Sequence, residues 1–162
     1  MNLTDLAPEE KWRELQQDLH DRFGLNADIM DGEGHRLFGN TWGNDLCRAI
    51  RNDDKGFSSI CVMAGQMFTQ LLKEGEPFAE MCDAGMMRIS VPVKKDGVVI
   101  GAVGGCGLQP ADEEVDEFTI GMMSDLDKDA IPGLAGTVRS ADEAKVTEIQ
   151  DYISKRVAEI IG

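Results

Sequence analysis

The chain has 162 residues, 42% of them hydrophobic and 28% charged, a composition that suits one globular domain with room for a substantial core. Its formal net charge of −14 repels nucleic-acid phosphates and anionic lipid, and so excludes roles that depend on binding either. Residues Met1 to Gln17 have neither a basic start nor an apolar core, and no stretch approaches the roughly 18 apolar residues of a spanning helix, so a soluble protein of the reducing cytoplasm is expected.

Pro8 followed by Glu9 and Glu10 predicts a helix start, because proline is preorganised there and the acids match the helix dipole. Trp12, Leu15, Leu19 and Phe23 continue at helical spacing, and Gly24 offers a stop. Two short runs then flank Asp31-Gly32-Glu33-Gly34, which predicts strand, turn and strand. From Trp42 to Leu72 the pattern is helical through Leu46, Cys47, Ile50, Ile60, Cys61, Phe68, Leu71 and Leu72, with Gly56 expected to divide two helices and Gly75 and Pro77 to end the region. Met81 to Met87 reads as a short irregular or helical passage. A hairpin follows, with strands Ile89–Lys95 and Val98–Leu108 around Asp96-Gly97, and Pro92 implies an unpaired N–H side.

Asp112 to Glu114 predict another helix start, with Val115, Phe118, Met122 and Leu126 as its buried stripe. A loop containing Pro132, Gly133 and Gly136 leads to a capping box over Ser140–Glu143, and Val146, Ile149, Ile153, Val157 and Ile160 share one side of the last helix. There is no internal repeat and no domain boundary. The expectation is a single α+β domain over 1–162 in a PAS-like order: a small antiparallel sheet with helices inserted between its hairpins, a core from about residue 9 to 126, and a C-terminal helical extension from about 140 to 161.

Conventional catalytic signatures are missing. The only histidines, His20 and His35, and the only tyrosine, Tyr152, form no hydrolase elbow, phosphate loop or zinc-protease motif. Asp53-Asp54 and Asp127–Asp129 do not fit a calcium loop. Gly101, Gly104, Gly105 and Gly107 lie in a strand, where missing side chains imply that a neighbouring helix or a ligand comes close to the backbone. Cys47, Cys61, Cys82 and Cys106 remain. In a reducing compartment such cysteines serve as metal ligands, redox thiols or core residues. Four thiolates would complete a zinc ion or an iron–sulfur cluster, but no Cys-x-x-Cys knuckle is present, so convergence would have to come from the fold. Met63, Met67, Met81, Met86 and Met87 fall nearby in sequence and suit core packing, an apolar ligand pocket or a soft-metal site.

Several passages, in order, resemble the PocR family of bacterial sensory domains. They are Asp31-Gly32-Glu33-Gly34, Leu46-Cys47-Arg48-Ala49-Ile50-Arg51, Cys61, Cys82-Asp83-Ala84-Gly85-Met86, Val91-Pro92-Val93, and Asp96-Gly97 with Ile100-Gly101. The resemblance runs from Lys11 to Leu126 and implies a modified PAS fold that senses a small molecule, suggested to be a simple hydrocarbon derivative, for an attached regulator or kinase. It also implies that Cys47, Cys61 and Cys82 lie near the ligand site. Asp83 departs from the family's usual histidine, and Cys106 adds a fourth sulfur. The resulting expectation is a non-catalytic sensory domain in signal transduction. Its sharper form has Cys47, Cys61, Cys82 and Cys106 holding an iron–sulfur cluster or zinc as a redox or gas sensor, with Met63, Met81, Met86, Gly104 and Gly105 lining the ligand site. The alternatives are a metal-free domain binding a small apolar molecule, and an enzyme with a cysteine nucleophile aided by Arg48 or Arg88. The expected partners are the small molecule or metal and a separate signalling protein, and the terminal helices allow a homodimer.

Overall fold

A computed structural model describes residues 1–162. A short helix α1 (Leu3–Leu6) precedes α2 (Glu9–Phe23), which starts after Pro8 and ends at Gly24 in the left-handed conformation (φ 70°). The Trp12 indole N–H donates to the Leu3 carbonyl at 3.0 Å and ties the two together. Strand β1 (Asn26–Asp31) then enters a turn in which the Asp31 carboxylate accepts the backbone N–H groups of Glu33 (2.8 Å) and His35 (3.0 Å). The expected second strand of this hairpin shrinks to isolated bridges at Arg36 and Thr41, because Gly39, at φ 80°, interrupts the extended run.

The helical passage comprises α3 (Asp45–Asn52), α4 (Asp54–Gly56), a π-helical turn (Phe57–Val62) and α5 (Met63–Lys73). The break falls at Asp53, not at Gly56. Asp53 is extended and its carboxylate caps the Gly56 N–H at 2.7 Å, whereas Gly56 is helical. Met81–Met87 is likewise not helical. It ends β2 (Phe78–Met81), turns through Gly85 (φ 83°) and begins β3 (Met87–Lys95), with the Cys82 N–H donating to the Met86 carbonyl at 2.9 Å. Asp96 and Gly97 turn the chain into β4 (Val98–Pro110) as predicted.

The sheet order is β1-β4-β3-β2, all antiparallel, and β5 (Arg139–Ala141) adds in parallel to the end of β4. β2 reaches along β3 only to Ser90, so Pro92 lies beyond it, on an edge that lacks a partner.

Three C-terminal expectations need correction. Helix α6 (Glu117–Met123) starts later than predicted, capped by Asp116, so its buried residue is Ile120, while Phe118 and Met122 are 78% and 59% exposed. The Pro132 loop is a short helix, α7 (Ile131–Ala135). Helix α8 (Glu143–Ile161) is capped by Asp142, because Ser140 is taken up in β5.

Alternation along the strands gives the sheet two unlike faces. Ala27, Ile29, Ile89, Val91 and Val103 pack with Trp12, Leu15 and Leu19 of α2 and with Ile149, Ile153 and Val157 of α8 in the main core. The opposite face carries Asp28, Arg88 and Cys106 towards the inserted helices, where Leu46, Ile50, Ile60, Met86 and Ile120 form a second, smaller core. The fold is α+β as expected. No helix is long and apolar enough to cross a membrane.

Candidate ligand site

A cavity of about 600 Å³ is walled by the polar face of the sheet and by the passage from α3 to α5. The start of α3 is pinned by Asn44, whose side-chain carbonyl accepts the Cys47 N–H at 2.7 Å while its amide nitrogen donates to the Gly107 carbonyl at 2.9 Å. This brings Cys47 beside the end of β4. A Cβ on Gly107, itself at φ 101°, would sit 2.7 Å from the Asn44 amide nitrogen and 3.4 Å from Cys47 Sγ, so only glycine suits this approach. The π-helical turn supplies Phe57, Ile60 and Cys61 to the wall, and such turns recur at functional sites. Cys82 comes from the β2–β3 turn and Cys106 from β4.

All four cysteines line this one cavity. Cys47 Sγ lies 3.5 Å from Met86 Sδ, and Cys106 Sγ accepts from Arg88 Nη1 at 3.0 Å. Burial pushes the Cys47 and Cys82 thiols above their ordinary range, and neighbouring thiols add to the effect. Burial likewise carries Cys61 to about 11, although Arg51 nearby draws it down. These three are therefore protonated thiols at neutral pH, unlike activated nucleophiles. No three cysteine, histidine, aspartate or glutamate side chains are grouped so that they could hold a metal ion.

Of the other residues expected here, Met86 is buried in the cavity wall. Met63 and Met81 lie outside the wall and are 55% and 40% exposed. Gly104 and Gly105 also stand outside it. A Cβ on Gly104 would fall on the Ile89 carbonyl, and one on Gly105 would come within 2.7 Å of the Asn26 carbonyl. Neighbouring strands, not a helix or a ligand, require those two glycines. His20 Nδ1 lies 3.1 Å from the Leu25 carbonyl, away from the cavity, and His35 sits at the cavity rim 3.4 Å from Asp31.

Of the charged groups at this site, the sequence pointed only to Arg88, as an electrostatic aid to a cysteine; Asp28, Arg36 and Arg51 were not singled out for a charged role. Asp28, fully buried on β1, accepts from Arg88 Nη2 at 2.5 Å and Nη1 at 2.9 Å, and from Arg36 Nε at 3.1 Å. Burial would lower the Arg88 pKa, but the charge of Asp28 outweighs it and raises that pKa instead. Arg51, on α3, also lines the cavity, with its guanidinium 5.2 Å from the Phe57 ring centroid and 5.9 Å from that of Trp42. Asn26 and Ser90 complete the polar side of the wall, and both are buried.

No curated protein matches this chain. One solved structure is similar, an IclR homolog complexed with 4-hydroxybenzoate from Microbacterium hydrocarbonoxydans. The match has 14% identity and a TM-score of 0.35, and covers 79% of this chain and 66% of that one. The family described as the sensory domain found in PocR matches residues 5–161, from before α2 to the end of α8. The chain belongs to the PocR family of sensory domains.

Proposed function

We propose that this domain is a non-catalytic sensor that takes up one small, largely apolar molecule in the cavity between the sheet and the α3–α5 passage. The observation that carries this reading is the cavity itself. At about 600 Å³ it falls within the range of small-molecule sites, and its wall combines Ile50, Phe57, Ile60, Phe68 and Met86 with a few convergent polar groups. Protonated cysteines fit the same picture, since a buried thiol behaves as a small, polarizable apolar group. A ligand contacting α3, the π-helical turn and β4 together would couple the inserted helices to the sheet, and the signal would pass from there to a partner.

The test is thermal unfolding of the metal-free chain against a panel of alcohols, diols, aromatic compounds and organic acids. A ligand at 100 times its Kd should stabilise the fold by about 2.7 kcal/mol and raise the Tm. Ala64→Phe, which places a ring in the cavity wall, should abolish the shift while the cooperative melt persists. A panel with no stabilising compound would count against the reading.

The convergence of Cys47, Cys61, Cys82 and Cys106 on one cavity favours a second reading, an iron–sulfur cluster or zinc for redox or gas sensing. It requires the thiols to draw together and ionise. Chain purified without oxygen would then carry visible absorption and iron, or stoichiometric zinc; metal-free chain with an unchanged melting profile and four titratable thiols would exclude it.

A further inference from the structure

We infer that the cavity selects a small organic acid, with its carboxylate at Arg51 and its apolar body against the π-helical turn and α5. The inference rests on reading this cavity as the ligand site and names the chemical class that the site takes.

The argument starts from charge. In a chain of net charge −14, three arginines, Arg36, Arg51 and Arg88, line one cavity. The fully buried Asp28 engages both Arg88 and Arg36, so a single carboxylate faces two guanidinium groups. The only carboxylate in the wall itself is Glu33, which stands exposed on the β1 turn. Arg51 rests on the rings of Phe57 and Trp42 instead of on a carboxylate. Its guanidinium is destabilised by burial and by the like charge of Arg36, which an incoming anion would relieve. The wall therefore carries positive charge that the protein leaves uncompensated.

A second feature bears on the rest of the ligand. Asn26 is 1% exposed, lines the cavity, and has a side-chain oxygen without a hydrogen-bond partner. A buried polar atom left unpaired costs free energy that a donor on the body of the ligand would recover, since a carboxylate itself only accepts. Around these polar groups the wall is apolar, with Phe57, Ile60, Phe68 and Met86. An inorganic anion would leave that apolar surface unfilled, and a neutral hydrocarbon would leave Arg51 unanswered. An acid with an apolar body answers both.

The experiment uses the whole chain and matched pairs of probes: octanoate against octanamide, and phenylacetate against phenylacetamide, measured by calorimetry. Each pair keeps shape and apolar area while removing the charge. Acids should bind about tenfold to hundredfold more tightly than their amides, the range expected for a hydrogen bond to a charged group. Arg51→Met should bring the acids down to the affinity of the amides, and a cooperative thermal melt like that of the wild-type chain shows that the variant folds. Equal affinity of acid and amide in the wild-type chain would overturn this inference and leave the ligand-cavity reading standing. Binding of neither class would overturn both.

Discussion

Asp28 sits at 0% exposure on a strand with a guanidinium on one side and a second one beyond it, and this pairing sets what either charge can tolerate. An isolated buried ion is very costly, and mutual attraction offsets that cost only while both partners are present. Asp28→Ala should therefore destabilise the chain by about 3–5 kcal/mol in urea unfolding, since it strands the 2%-exposed Arg88. A double variant, Asp28→Leu with Arg88→Met, should recover most of that loss, because no charge is then left buried. If the double variant were as unstable as the single one, the pair would matter through shape and not through charge. Arg88 was singled out in the sequence only as an aid to a cysteine, and Asp28 not at all. A charged residue on a strand reads as solvent-facing, and only a sheet covered on both faces forces it inward.

At the level of elements, the long helices were legible and the short ones were not. The stripe Val146, Ile149, Ile153, Val157 and Ile160 lies on the packed side of α8, as its spacing predicted, with its middle three members buried. Ile153→Ala should cost about 2–5 kcal/mol by chemical denaturation, from lost transfer energy plus the cavity left behind. A cost near zero would mean that α8 is peripheral to the core. Helix α6 shows how the reading fails. Moving its start to a cap at Asp116 changes which residues face inward, and Phe118 and Met122 end up outside. Strand β2, only four residues long, offers too few positions for alternation to register. Asn44 caps α3 by accepting the Cys47 N–H, but its second bond, to Gly107, spans 63 residues of sequence.

The whole molecule gathers thiols from α3, the π-helical turn, the β2–β3 turn and β4 into one cavity, and this has a consequence for stability against pH. Cys47, Cys61 and Cys82 all hold their protons more tightly when folded than the ordinary value of 9.0, Cys61 to about 11. The unfolded chain thus releases these protons first as pH rises. The contribution is fully present below about pH 9 and is lost as pH climbs through about 11. Urea midpoints should fall across that window, and the Cys61→Ala variant should show a shallower fall. Parallel slopes for the two chains would contradict this account.

Sequence alone determined the α+β class, the main helix and hairpin positions and the family resemblance, because periodicity, turn chemistry and ordered motifs are local properties that a chain carries wherever it folds. It also marked the four cysteines, without saying whether they meet. Only the tertiary structure brought them to one cavity, removed Met63, Met81, Gly104 and Gly105 from its wall, and placed Arg36, Arg51 and Arg88 there. Those assignments depend on which strand pairs with which and on where a helix lies over the sheet. Such contacts join residues far apart in the chain, and no local spacing encodes them.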